Sequence, residues 1–155
     1  MINFFARTRN CYLFIILFLL FFYIETYSQV FVHGDPIIFL EDVKSDIRKC
    51  IDHDQYGWLI EIGRPLSAEI DCQIFKNISG ITDLNKFRLL TVFTIILSCL
   101  ILFEILKRKD LTNIESILIS LVLFTIPGFI FYATIFNLSN MFCVLLSLYA
   151  YFLFD

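Results

Sequence analysis

Four long apolar blocks restrict what this chain of 155 residues can fold into more than any other feature. They run from Cys11 to Ile24, from Leu89 to Leu106, from Ser116 to Phe136 and from Met141 to Phe154, and Glu104 is the one formally charged residue inside them. The chain is 59% hydrophobic, whereas soluble domains average about 45–50%. A helix that crosses a bilayer core needs about 20 apolar residues. We therefore predict an all-α integral membrane protein with about four transmembrane helices.

Basic residues beside the apolar blocks predict the topology. Arg7 and Arg9 precede the first block, and Lys107-Arg108-Lys109 follows the second. Such clusters lie on the cytoplasmic side of membrane proteins. Both signals predict a cytoplasmic amino terminus and an exported segment between the first two helices. The alternative for the first block is a cleaved signal peptide, but no small-x-small cleavage site follows it.

This topology divides the chain into three parts. Residues 1–32 hold the cytoplasmic N-terminus and the first transmembrane helix, residues 33–86 form an extracytoplasmic loop, and residues 87–155 hold transmembrane helices 2–4. Because the chain stops directly after an apolar run, we expect it to be the front part of a longer protein. Its residue usage favours a bacterium, so the expected location is the inner (plasma) membrane. Without a basic patch with interleaved aromatics, no nucleic-acid partner is expected.

The first half of the extracytoplasmic loop carries the candidate catalytic acids. Apolar residues recur at three- and four-residue steps from Leu40 to Ile51, which predicts an amphipathic helix on the membrane surface. Asp42 and Asp46 share one face of this helix, and like charges at that spacing can raise the pKa of one carboxyl towards the range of a general base. Glu41, in its first turn, and Asp35, before it, are further candidates. Alternatively, these acids form only a solvated helix face.

A second amphipathic helix is predicted to start at Pro65, since proline suits the first helical position. The turn Gly63-Arg64-Pro65 precedes it, and Arg64 could either anchor the corner on lipid phosphates or bind a substrate phosphate. Cys50 and Cys72 are the two cysteines outside the apolar blocks, and an exported location would allow a disulfide between the helices. Two free thiols are the alternative.

Three further features are predicted to be structural. Pro127-Gly128 should kink the third transmembrane helix, because proline removes a backbone donor and clashes with the preceding turn. Residues 137–140 should form a tight exported turn, and Glu104 should snorkel or pair with Lys107 or Arg108. No metal site is expected: His53 lies between two aspartates, but no H-x-x-x-H spacing and no cysteine pairing supports one.

The order of these motifs resembles the front end of the polytopic O-antigen glucosyltransferases of type II, which are membrane glycosyltransferases of the GT-C fold. The resemblance covers about residues 30–155, and its sharpest part is Gly63-Arg64-Pro65-Leu66. Tyr56 and Trp58 precede that corner, and Thr82-Asp83-Leu84 and Pro127 follow it.

The resemblance implies transfer of a hexose, with glucose the first expectation, from a polyprenyl-phosphate donor to a surface polysaccharide such as the O-antigen of lipopolysaccharide. It implies an acidic base in the first exported loop, and Arg64 and Arg48 as donor phosphate ligands. Family members show adjacent aspartates followed by an arginine, whereas this chain has Ser45-Asp46-Ile47-Arg48, with Glu41-Asp42 slightly earlier. The resemblance leaves a divalent metal open and implies no other cofactor.

Two functions follow as hypotheses. The first is a GT-C-type glycosyltransferase or its N-terminal part, with membrane lipid, the lipid-linked sugar and a polysaccharide acceptor as partners. The second is a non-catalytic polytopic membrane protein, such as a partner of a transporter or flippase, whose exported loop docks other proteins.

Overall fold

The computed structural model describes residues 8–24, 60, 61, 63, 65–76, 81–129 and 138–154, and within these ranges the chain is helical and contains no strand. The helices are α1 (Thr8–Phe22), α2 (Pro65–Lys76), α3 (Ile81–Arg108), α4 (Asn113–Phe124) and α5 (Leu138–Phe154). The predicted all-α class is therefore confirmed for the described part of the chain.

Helix α3 lies at the centre of the fold, because it contacts α1, α4 and α5. Helix α1 also contacts α4, and α2 contacts α5. Within α3, Arg88–Arg108 is an apolar stretch of 21 residues, long enough to cross a bilayer. Helices α1, α4 and α5 are apolar but have 15, 12 and 17 residues. The described residues thus contain one candidate membrane-spanning helix, where the sequence predicted about four.

The core is built around a stripe on α1 that repeats every four residues. Cys11, Ile15, Leu19 and Tyr23 lie one above the other on one helix face, and each is at most 2% exposed. They pack in one cluster with buried side chains of the three other apolar helices, namely Val92, Ile95, Ile96, Cys99, Phe103, Ile117, Leu121, Phe124 and Met141. The apolar blocks of the sequence therefore pack against each other along their length.

The outer surface of this bundle is apolar as well. Large hydrophobic side chains remain exposed on each apolar helix, among them Leu17, Phe21, Leu89, Phe93, Leu118, Val122, Leu146 and Leu153. Buried positions include small hydroxyl residues, namely Thr91, Thr94, Ser98, Ser116 and Ser120. Hydroxyls inside and large apolar groups outside are typical of helices that pack in lipid, where small residues let the backbones approach closely.

Contacts at the helix ends give the relative directions of the helices. Lys107 at the end of α3 donates to Thr8 Oγ1 at the start of α1 over 3.1 Å, so these helices are antiparallel. Arg108 donates to the carbonyl of Phe152 over 2.7 Å, so α3 and α5 end side by side. Helix α4 returns after the short connection that follows Lys109. We call the end of the bundle that holds Thr8, residues 107–109 and Phe152 the basic end.

The connection between α3 and α4 is a tightly hydrogen-bonded turn. Asp110 has a φ of 63°. Its backbone amide donates a hydrogen bond to the Lys107 carbonyl, and the amide of Leu111 donates one to the Leu106 carbonyl, which together form a Schellman motif. Thr112 and Glu115 then form a capping box at the start of α4. The hydrogen bonds from the Thr112 side chain and backbone lower the pKa of the Glu115 carboxyl from its ordinary value.

The third apolar block is interrupted beside Pro127, as predicted. Helix α4 ends at Phe124, with Thr125 as its cap and a bend at Ile126, and residues 127–129 are helical again. The physical reason is Pro127, which has no amide to continue the helical ladder. The predicted turn at residues 137–140 is wrong where the structure describes it, because α5 already begins at Leu138. Ser139 and Asn140 therefore belong to the first turn of this long apolar helix.

Tyr23 closes the bundle at the end opposite the basic end. Its hydroxyl donates to the carbonyl of Phe124, the last residue of α4. That carbonyl lies where the helix stops before Pro127, so it needs a partner from outside its own helix. The bond joins the ends of α1 and α4, which places both at the end where residues 25–80 connect α1 with α3.

Candidate functional site

The acids and arginines predicted to form the site lie outside the described residues. This holds for Asp35, Glu41, Asp42, Asp46, Arg48 and Arg64, as well as for Cys50 and both histidines. The first amphipathic helix, with its candidate general base, therefore stays a prediction. What the structure describes is the helix that follows the Gly-Arg-Pro corner and the bundle against which it packs.

The second amphipathic helix is confirmed as α2, which begins at Pro65 as predicted. Gly63 precedes it with a φ of 79° and donates its amide to the Ile60 carbonyl over 2.9 Å. A positive φ is sterically easy for glycine, and this explains its use at the corner. On the exposed side of α2, Gln73 donates to the Glu69 carboxylate over 2.7 Å.

The buried residues that the structure describes on α2 are small. Ala68 is 0% and Cys72 is 2% exposed, whereas Ile70 is only half-buried. Small buried side chains allow close packing against a neighbour, and α2 contacts α5.

Cys72 is disulfide-bonded, while Cys11, Cys99 and Cys143 are free thiols. Its predicted pairing with Cys50 stays a prediction, since Cys50 lies outside the described residues. Disulfides persist in oxidising compartments, so this bond favours an exported location for α2, in agreement with the topology that the basic clusters predict.

We expect alkylation of the unfolded, unreduced chain to modify Cys11, Cys99 and Cys143 and to leave Cys50 and Cys72 unmodified. Mass spectrometry of a non-reducing digest should then recover a peptide pair that joins residues 50 and 72. Cys72→Ser should make Cys50 reactive without changing the other three thiols. Alkylation of Cys50 in the unreduced parent protein would contradict the pairing.

Arg88 is a site residue that sequence reasoning missed. It lies in α3, where the apolar stretch begins, and is 2% exposed. The sequence places it as an ordinary charged flank of an apolar block, and its burial depends on packing between distant segments. Twenty residues separate it from Arg108, so it lies about 30 Å along the helix axis from the basic end. A buried guanidinium thus lies towards the end of α3 that residues 25–80 connect to α1.

Buried hydroxyls continue from Arg88 along α3. Thr91 lies about one turn further on and is 0% exposed. Thr94 donates to the Leu90 carbonyl over 2.8 Å, and Ser98 donates to the Thr94 carbonyl over 2.9 Å. These two bonds satisfy the hydroxyls within α3 itself, which is the usual arrangement for such residues in apolar helices. The row therefore lets neighbouring helices approach without leaving these two groups unsatisfied.

Glu104 has a different partner from the one that the sequence suggested. The hydroxyl of Tyr12 in α1 donates to its carboxylate, where pairing with Lys107 or Arg108 was expected. Lys107 instead reaches Thr8, one turn earlier on α1. These hydrogen bonds hold α1 against α3 near the basic end. The role of Glu104 is therefore structural, because its carboxylate joins the two helices.

Metal binding has no support in the described residues, because they contain no group of three or more His, Cys, Asp or Glu side chains that could hold an ion. The described features of the candidate site are therefore a buried arginine on α3 and a disulfide-bonded amphipathic helix, α2, which contacts α5. Comparisons with known protein families, curated proteins and solved structures found no match to this chain.

Proposed function

We propose that the chain belongs to a GT-C-type membrane glycosyltransferase and transfers a hexose, with glucose the first candidate, from a polyprenyl-phosphate donor to a surface polysaccharide such as O-antigen. In this proposal the protein lies in a bacterial inner membrane with about four transmembrane helices. The two amphipathic helices of residues 33–86 lie on the outer surface. The resemblance of the Gly-Arg-Pro-Leu corner to the type II glucosyltransferases suggests the reaction.

The observation that carries the proposal is the buried guanidinium of Arg88. A cation inside an apolar bundle is costly, and such residues mark substrate or ion pathways in membrane proteins. Arginine suits phosphate oxygens because its planar donors make charge-assisted, bidentate contacts. In the proposed topology Arg88 lies near the exported end of α3, and there it would contact the phosphate of a lipid-linked sugar whose lipid chain remains in the membrane.

The disulfide at Cys72 supports the proposal that α2 lies on the exported side of the membrane, the side to which Arg88 is assigned. It favours an oxidising compartment for α2, whereas residues 107–109 at the other end of the bundle favour the cytoplasm. The acids Glu41, Asp42 and Asp46 precede α2 in the same exported segment. In the proposed mechanism one of them accepts the proton of the acceptor hydroxyl as that oxygen attacks the sugar carbon, and the polyprenyl phosphate leaves with the bonding electrons.

The test is a transfer assay on the full-length protein in membranes, with a labelled polyprenyl-phosphate hexose and the polysaccharide acceptor. Arg88→Gln should raise the KM for the donor, and Arg88→Lys should retain part of the affinity because it keeps the charge. Asp42→Asn, Asp46→Asn and Glu41→Gln should be compared with Asp71→Asn, a loop acid that the proposal does not use. At least one of the three should lose turnover while Asp71→Asn keeps it.

Two outcomes would contradict the proposal. If all acid variants transfer sugar as well as the parent, the acidic segment does not supply the base. If the parent protein, correctly inserted, transfers no sugar from any polyprenyl-phosphate hexose tested, the alternative of a non-catalytic membrane protein with a docking loop is favoured.

A further inference from the structure

The basic end of the bundle presents a set of cations that the proposed sugar transfer does not use. Arg9, Arg108 and Lys109 are exposed, and Lys107 is half-buried beside Thr8. They are contributed by the first turn of α1 and by the end of α3 with its following turn. The two segments meet because α1 and α3 are antiparallel, so charges nearly a hundred residues apart in sequence form one surface patch.

Three of these cations lie over aromatic rings, which limits the directions that they can take. The Arg108 guanidinium lies 3.7 Å from the centroid of the Phe152 ring, and the Lys109 ammonium lies 5.9 Å from that of Tyr151. The Lys107 ammonium lies 5.8 Å from the centroid of Phe103. Cations over ring faces within about 6 Å are attracted by the ring quadrupole. The patch is therefore held against α3 and α5 instead of extending freely into water.

The position of the patch indicates which anion it meets. Lys107 and Arg108 are the last residues of the apolar stretch of α3, and the exposed rings of Tyr151 and Phe154 lie at the end of α5. Aromatic rings and basic side chains at the ends of apolar helices lie at the level of lipid headgroups. Basic pockets between helices on the cytoplasmic side bind anionic headgroups.

We propose that Arg9 and residues 107–109 form a binding site for the phosphate headgroup of an anionic phospholipid in the cytoplasmic leaflet. The guanidinium of Arg108, already bonded to the Phe152 carbonyl, has further N–H donors for phosphate oxygens. Because it touches both α3 and α5, a lipid bound there would bridge the ends of two helices. This site rests on the proposed membrane embedding but not on the proposed sugar transfer.

The test uses the full chain reconstituted into phosphatidylcholine vesicles that contain a minority of phosphatidylglycerol. The parent for this test carries Leu153→Trp in a Trp58→Phe background, because Leu153 is exposed at the end of α5 beside the patch whereas Trp58 lies in the segment predicted to be exported. Quenching of its Trp fluorescence by brominated phosphatidylglycerol or brominated phosphatidylcholine gives the relative association constant of the two lipids, and flotation shows separately that the chain is embedded. The parent should prefer phosphatidylglycerol, and the preference should weaken with added salt. Lys109→Gln should lower the association constant for phosphatidylglycerol relative to phosphatidylcholine about fivefold, because one cation near an anionic surface contributes about 1 kcal/mol.

Two matched variants separate this site from a general effect of charge. Asp110→Asn removes an acid beside the patch and should raise the relative constant, and asparagine tolerates the positive φ at this position. Lys76→Gln removes a cation from the end of α2, outside the patch, and should leave the constant unchanged. Arg108→Gln should reduce it at least as much as Lys109→Gln, and Phe152→Leu should reduce it less because the charge remains.

Three results would overturn the inference. One is an embedded parent protein that binds both lipids equally. Another is an equal loss in Lys76→Gln and Lys109→Gln, because the preference would then follow net charge. The third is complete competition by free glycerol phosphate, because the patch would then bind a soluble anion instead of a headgroup held in the membrane. A chain that does not float with the vesicles contradicts the membrane embedding itself.

Discussion

Replacing Phe103 with alanine is expected to lower the free energy of unfolding of the full chain by about 3–5 kcal/mol. The ring is 0% exposed and belongs to the central cluster of α3. It meets the ring of Tyr12 edge to face at 5.6 Å between centroids, and it lies under the Lys107 ammonium. Truncation would leave a cavity where α1 and α3 join and would remove both ring contacts.

Phe93 provides the matched control for this prediction. It is the same residue type on the same helix, ten positions earlier, but its side chain is 55% exposed. Phe93→Ala should change the free energy of unfolding by no more than about 0.5 kcal/mol, because an exposed ring leaves no internal cavity. Reversible unfolding in detergent or bilayers, followed by thermal midpoint or by steric trapping, measures both variants. Equal losses would contradict the packing that places only Phe103 in the core.

The sequence predicts those parts of the fold that depend on local patterns. The preference of proline for the first helical position was enough to place the start of α2 at Pro65. The apolar blocks also predicted that helices lie in these parts of the chain, although α4 ends at Phe124, inside the third block. These features follow from the 3.6-residue period and from backbone sterics, which act within a few residues.

The sequence does not predict which distant residues meet. Glu104 was expected to pair with the basic residues a turn away, yet Tyr12 donates to it from another helix. Arg88 drew no prediction from the sequence, yet it is buried. Each outcome depends on how far one helix slides or rotates against another. That register is determined by the packing of the whole bundle, and no local pattern encodes it.

The two ends of the bundle hold different cations in different surroundings, exposed at one end and buried at the other. Helices α3 and α5 end side by side at the basic end, so the negative ends of both helix dipoles face residues 107–109, a favourable arrangement. At the other end, the Tyr23 hydroxyl covers the last carbonyl of α4, and Arg88 is buried in the bundle. A lipid headgroup site at the first end and a phosphate-sugar site at the second therefore require different substitutions, and each can be tested without disturbing the other.

Phe93→Asp is expected to oppose insertion of α3 into the membrane. An aspartate costs about 2.5–3.5 kcal/mol at the centre of a transmembrane helix, and less towards the ends. For Phe93, five residues inside the apolar stretch that begins at Arg88, we expect about 2 kcal/mol, or roughly thirtyfold in the ratio of inserted to uninserted chains. A Lys109→Cys background measures this ratio, since a membrane-impermeant thiol reagent added from outside reaches residue 109 only when α3 has not inserted.

Gln73→Asp is the control for the added charge, because Gln73 is exposed on α2 and outside the apolar stretch. It should leave the labelling of residue 109 unchanged. Comparison of the two aspartate variants shows whether the outer face of α3 is surrounded by lipid or by water. Phe93 is not part of the core, so lost packing cannot explain a defect, and in water a charge at an exposed position would change stability by no more than about 0.5 kcal/mol. If both aspartates are tolerated equally, the apolar outer face of α3 does not lie in lipid, and the membrane topology on which both proposed sites depend is wrong.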